Sequence, residues 1–176
     1  MTGLVGTSGR EGFESFTLKP ITKAAIPRAL EKAERYRLLN EPSQAESICL
    51  DILGADPDNQ QALVFLVLSI TDRFGSAGAP GSHVAREYVD RLEDPYQRDY
   101  YEGLLRERDA RARLGRAMGS SFAYEGLRAA MTCYERASAS SPVDDNEAIL
   151  RWNACVRTIQ QRNLQPRPPE VEQPLE

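Results

Sequence analysis

The sequence predicts an all-α protein of about seven antiparallel helices, on three observations. Twenty alanines and eighteen leucines outnumber eight valines and seven isoleucines, and alanine and leucine favour helix where β-branched residues favour strand. Helix breakers then divide the chain at Asn40-Glu41-Pro42, Asp56-Pro57-Asp58, the glycine-rich stretch 75–82, Asp94-Pro95, Gly119-Ser120-Ser121 and Ser141-Pro142. Between the breakers, apolar residues recur at spacings of three and four, which gives each segment one face to bury.

In order, the expected helices are 23–39, 43–55, 60–73, 83–93, 96–118, 122–139 and 145–163. The second is marked by Ile48, Ile52 and Ala55, the third by Leu63, Leu66 and Ile70, and the fourth by Ala85, Val89 and Leu92. GSAGAPGS lengthens the connection between the third and the fourth. The fifth is over-long, and the last presents Ile149, Trp152, Val156 and Ile159 at helical spacing. Around this helical domain, 21–164, lie a glycine-rich segment, 1–20, and a proline-rich acidic tail, 165–176. The tail has almost nothing to bury and is expected to be disordered or extended. Phe13, Phe16 and Leu18 give the N-terminal segment something to dock, either in the molecule's own groove or in a neighbour's.

Composition excludes several classes. The longest apolar run, Ala62 to Leu68, is far short of the ~20 residues that cross a bilayer, and the start of the chain has neither the basic nor the apolar stretch of an export signal. Three cysteines without a CxxC suit a reducing compartment, so a cytoplasmic protein without membrane insertion is expected. A net charge of −4, with 19 cations against 21 anions over 21–164, gives no electrostatic footprint for nucleic acid.

An internal similarity refines the architecture. RALEKAERYRLLNEPSQAESICLDILGADPDN resembles a tetratricopeptide repeat (TPR), with Tyr36, Ala45, Cys49, Ile52 and Pro57 at the positions that shape the unit. Ile52 is larger than the usual residue. AAMTCYERASASSP repeats the spacing with Ala130, Tyr134, Ala137 and Pro142. The segment between is a poorer copy, and 145–163 would be the unpaired helix that closes the stack. The resemblance implies a right-handed α-α superhelix of about three degenerate repeats. It also implies a non-enzymatic interaction module or adaptor that holds a peptide or partner helix in a concave groove lined by the first helices. Small TPR chaperones of bacterial secretion systems and accessory subunits of enzyme complexes are alternatives of the same kind, and a homodimer is left open by the exposed ends of so short a stack. The lysine and asparagine clamp of one TPR subset is missing, since Leu30, Glu34 and Phe65 stand in its places.

Repeat positions nominate Glu34 and Arg37 in the first unit, Gln61, Val64 and Leu68 in the second, and Asn146 and Asn153 in the last helix as groove residues. The fifth segment adds an anomaly: Arg108 and Arg111 project from the same side as Tyr100, Leu104, Leu114 and Met118. Either their stems pack while their heads reach water or an internal acid, or they face the groove beside Tyr100 and Tyr101 to take a partner's carboxylate. Arg98, Arg106, Arg113 and Arg116, interleaved with Glu102 and Asp109, suit an ion-paired surface. Trp152 and the cysteines are expected to be quiet core residues.

Catalytic chemistry finds no support in the inventory. The one histidine, His83, adjoins a glycine-rich loop and has no second histidine for a metal site or relay. The glycines at 75, 78 and 81 lack the lysine of a phosphate loop. Asp144 and Asp145 suit a helix N-terminus, and Glu93 and Asp94 a turn. No cofactor and no metal are expected.

Overall fold

A computed structural model describes residues 16–114, 119–142 and 145–167. After a short 3-10 turn at Lys23–Ala25 come α1 (Ile26–Leu38), α2 (Pro42–Ala55), α3 (Gln60–Asp72), α4 (Ser82–Val89), α5 (Pro95–Arg113), α6 (Gly119–Ala139) and α7 (Glu147–Gln161). There is no strand among the described residues.

Local chemistry places the boundaries. Asn59 caps α3 by accepting the Ala62 N–H at 3.0 Å, and Asp94 caps α5, with Pro95 in its first turn, by accepting the Tyr96 N–H at 3.0 Å. Before α7, Asp145 accepts the Glu147 N–H at 2.8 Å. Asn40 ends α1 with φ of 61°, and the Asn40 and Glu41 N–H groups donate back to Arg37 and Tyr36. Asn163 repeats the device after α7, and the next residue, Leu164, buries itself against the second core. Both are left-handed terminations of the Schellman type, in which asparagine serves where glycine is more usual.

Four helices depart from the expected bounds by three residues or more. α1 begins at Ile26, after the 3-10 turn, and α6 begins at Gly119, so Gly119-Ser120-Ser121 forms its first turn rather than a break. α4 stops at Val89 rather than 93, because the Leu92 N–H turns back to the Val89 carbonyl and the Glu93 N–H donates to the Gln60 side chain. α5 is described to Arg113, and Met118 and Arg116 lie outside the described residues. So do Phe13, Asp144 and the tail from 168. Phe16 and Leu18 are 89% exposed, so neither docks in the molecule's own groove here.

Each helix packs against its neighbours in sequence, and α1, α3, α5 and α7 also touch in series, α1 with α3, α3 with α5 and α5 with α7. One apolar core gathers α1 to α4 with Leu105, and a second gathers α5 to α7. The residues that mark the internal similarity carry this packing: Ala45, Cys49, Ile52, Ala130, Tyr134 and Ala137 are all fully buried. Ile52 is accommodated as a core residue despite its size. Small residues let α5 and α6 approach closely. A Cβ added at Gly103 would lie 2.7 Å from the Tyr134 ring, and one at Gly126 would lie 2.8 Å from the Ala110 Cβ.

Candidate polar face on the odd-numbered helices

The odd-numbered helices carry a continuous polar band. Arg37 of α1 pairs with Asp72 at the end of α3 at 3.1 Å, and Arg108 of α5 pairs with the same carboxylate at 2.7 Å. Arg108 also donates to the Thr71 hydroxyl at 2.6 Å and the Leu68 carbonyl at 3.2 Å. Next along α5, Glu107 is 1% exposed and accepts from Arg111 at 2.9 Å, from Arg151 of α7 at 3.0 Å and from the Tyr134 hydroxyl at 2.8 Å. Three acceptor contacts explain how a carboxylate is tolerated in the core. Arg111 reaches on to the Ala154 carbonyl of α7.

Tyrosines join the two halves of the band. Tyr100 and Tyr101 meet edge to face with centroids 5.1 Å apart, and Tyr96 stacks on Tyr100 at 6.0 Å. Burial pushes the Tyr100 hydroxyl up to about 12, opposed by Arg151 and reinforced by Glu147. Burial also raises Tyr101, against the pull of Arg37 and Arg108. The Arg108 guanidinium is lowered by burial, an effect Asp72 opposes.

Of the residues nominated from sequence, the structure brings together Arg37, Leu68, Tyr100, Tyr101, Arg108 and Arg111. Both arginines of the α5 anomaly take an internal acid, Asp72 or Glu107. Val64 is half-buried against the first core. Glu34, Gln61 and Asn146 are exposed, Asn153 is half-buried, and none has a side-chain hydrogen bond to the band among the described residues. Sequence reasoning missed Asp72, Glu107 and Arg151. One signal was available for Glu107: it lies seven residues after Tyr100 and seven before Leu114, on the same stripe.

The rest of α5 follows the surface pattern, with Arg106 on Glu102 at 2.7 Å and Arg113 on Asp109 at 2.9 Å. Such exposed pairs contribute little to stability. The glycine-rich loop borders a cleft of about 350 Å³ with His83, Asp109 and Arg113, where the last two neutralise each other. His83 is exposed. Trp152 is half-buried against the second core and donates to Glu135 at 3.0 Å. Among the described residues, no group of three or more His, Cys, Asp or Glu is placed to hold a metal ion, and no helix is long and apolar enough to cross a membrane.

Cys49, Cys133 and Cys155 are buried and free. Burial pushes the Cys49 and Cys155 thiols up to about 12 and raises Cys133. The thiolate is the reactive form, so Cys49 and Cys155 are expected to label at pH 8 at least about a hundredfold more slowly in the folded protein than in urea, and Cys133 also more slowly; equal rates with an aromatic disulfide reagent would contradict their placement. The unfolded chain ionises Cys49 and Cys155 near the ordinary cysteine value and the folded chain only near 12, so their effect on stability is neutral below about pH 8.5 and increasingly unfavourable above it.

These features define an all-helical protein built from serially packed helices, with an arginine, carboxylate and tyrosine band on its odd-numbered members. Comparison with protein-family models, with curated proteins and with solved structures finds no match to this chain.

Proposed function

We propose that the chain is a non-enzymatic protein-interaction module, a short TPR-like right-handed superhelix. Its odd-numbered helices form a concave face that receives an extended segment or a helix of a partner protein. The observation that carries the reading is the serial contact of α1, α3, α5 and α7, because a superhelix with one helix of each pair on its inner layer would have such contacts. The polar band runs across those same helices, so the layer read as concave is also the one with charged and aromatic groups available for recognition. The close approach of α5 and α6 at Gly103 and Gly126 and the complete burial of Ala45, Ala130 and Ala137 support paired helices of the repeat type. Free, buried thiols support a reducing compartment such as the cytoplasm.

The test is copurification of the tagged full chain from native cells, beside Arg37→Gln and Tyr101→Phe variants whose thermal melts match the parent. A stoichiometric companion that is retained by the parent and lost from both variants is the expected result. A companion held equally by all three would place recognition elsewhere, and self-association as the only assembly would replace the adaptor reading with a homo-oligomer.

A further inference from the structure

The odd-numbered helices hold more positive charge than their own acids neutralise. Asp72 serves both Arg37 and Arg108, and Glu107 serves both Arg111 and Arg151, so two carboxylates answer four guanidiniums. Glu147, close to Tyr100 and Tyr101, narrows the excess without closing it.

The donors point the same way. A guanidinium offers five N–H groups. Arg37 spends Nε and Nη2 on Asp72. Arg108 directs only Nη1 at Leu68, Thr71 and Asp72, which leaves its Nε and Nη2 without an acceptor among the described residues. Arg151 gives Nη2 to Glu107, while its Nε is buried and also without an acceptor among them. Arg111, like Arg37, spends Nε and Nη2, here on Glu107 and the Ala154 carbonyl. Neither the Tyr100 nor the Tyr101 hydroxyl has a hydrogen-bond partner among the described residues; Tyr101 lies within the influence of Arg37 and Arg108, and Tyr100 within that of Arg151. Side chains of Arg37, Arg108 and Arg151 are 19%, 24% and 33% exposed, open to a ligand yet partly shielded from water. In that setting a charge-assisted hydrogen bond is stronger than on an open surface.

We propose that the partner segment taken by this face is acidic, its carboxylates received by Arg108 and Arg151 with the tyrosine hydroxyls beside them. This rests on the reading of the odd-numbered helices as the binding face, and adds the chemistry of what binds. Planar carboxylates match guanidinium forks, and donors on both α5 and α7 suit more than one acid along a chain better than one small anion.

The experiment is selection of a random dodecapeptide display library on the immobilised full chain, followed by binding of the selected peptides to the parent, Arg108→Gln, Arg151→Gln and Tyr101→Phe. Tyr101→Phe keeps the ring and is the variant least able to disturb folding; thermal melts check all three. Selected peptides are expected to be enriched in Asp and Glu, to bind about tenfold or more weakly to the arginine variants, and to weaken with salt. Peptides that depend on these residues but are not enriched in acids would overturn the inference and leave the binding face standing. Acidic peptides indifferent to all three substitutions would also overturn it. If no selected peptide of any composition responds to them, the binding-face reading itself fails.

Discussion

Replacing Glu107 by alanine is expected to destabilise the fold by about 3 kcal/mol, at the lower end of what breaking a buried ion pair costs. Glu107 is 1% exposed and answers Arg111, Arg151 and the fully buried Tyr134 hydroxyl. The two guanidiniums are 39% and 33% exposed and can turn toward water, which moderates the loss. Tyr134 has no such escape, and its hydroxyl would be left buried without its acceptor. For a chain of this length the change corresponds to a fall in Tm of roughly 6–12 °C. Tyr134→Phe alone should cost about 1.5–3 kcal/mol, the range for a hydrogen bond to a charged group. The double variant should lose less than the sum, because the two residues share the interaction. Additive losses, or a loss below about 1 kcal/mol for Glu107→Ala, would show that the buried network does not hold α5, α6 and α7 together.

The second large effect is steric and turns on sign. Gly103→Ala is expected to destabilise by about 1–3 kcal/mol, although the same change in an open helix stabilises by about 0.5–1 kcal/mol. The new Cβ would meet Tyr134 atoms at 2.7, 2.9 and 3.1 Å, and that ring is tethered by its hydroxyl to Glu107. Gly54 is the internal control, since nothing lies within 4 Å of its added Cβ. Gly54→Ala should therefore stabilise by about 0.5–1 kcal/mol. Urea unfolding of both variants decides the matter. The same sign at the two positions would contradict the close packing of α5 on α6.

How much of this was legible in the sequence depends on range along the chain. Breakers and apolar spacing act locally, so all seven helices were predicted, most within a few residues of their observed ends. Arg108 and Arg111 stood out because cations on an apolar stripe are visible on a single helical wheel. Their acids were not, since pairing Arg108 with Asp72 requires knowing that α5 abuts α3, and pairing Arg151 with Glu107 that α7 abuts α5. Glu107 lay on the stripe from the start, but an acid flanked by arginines looks like an ordinary surface residue until its neighbours close over it. Trp152 shows a different limit: spacing gave its buried side, while the bond from its indole to Glu135 depends on where α6 ends beside α7.

On the proposed reading, partners are received by the odd-numbered helices. Amide hydrogen exchange of the full chain, alone and with its copurified companion, tests it most directly. Added protection is expected to concentrate in α1, α3, α5 and α7, with α2, α4 and α6 little changed. Protection that falls on α2, α4 and α6 instead would contradict it.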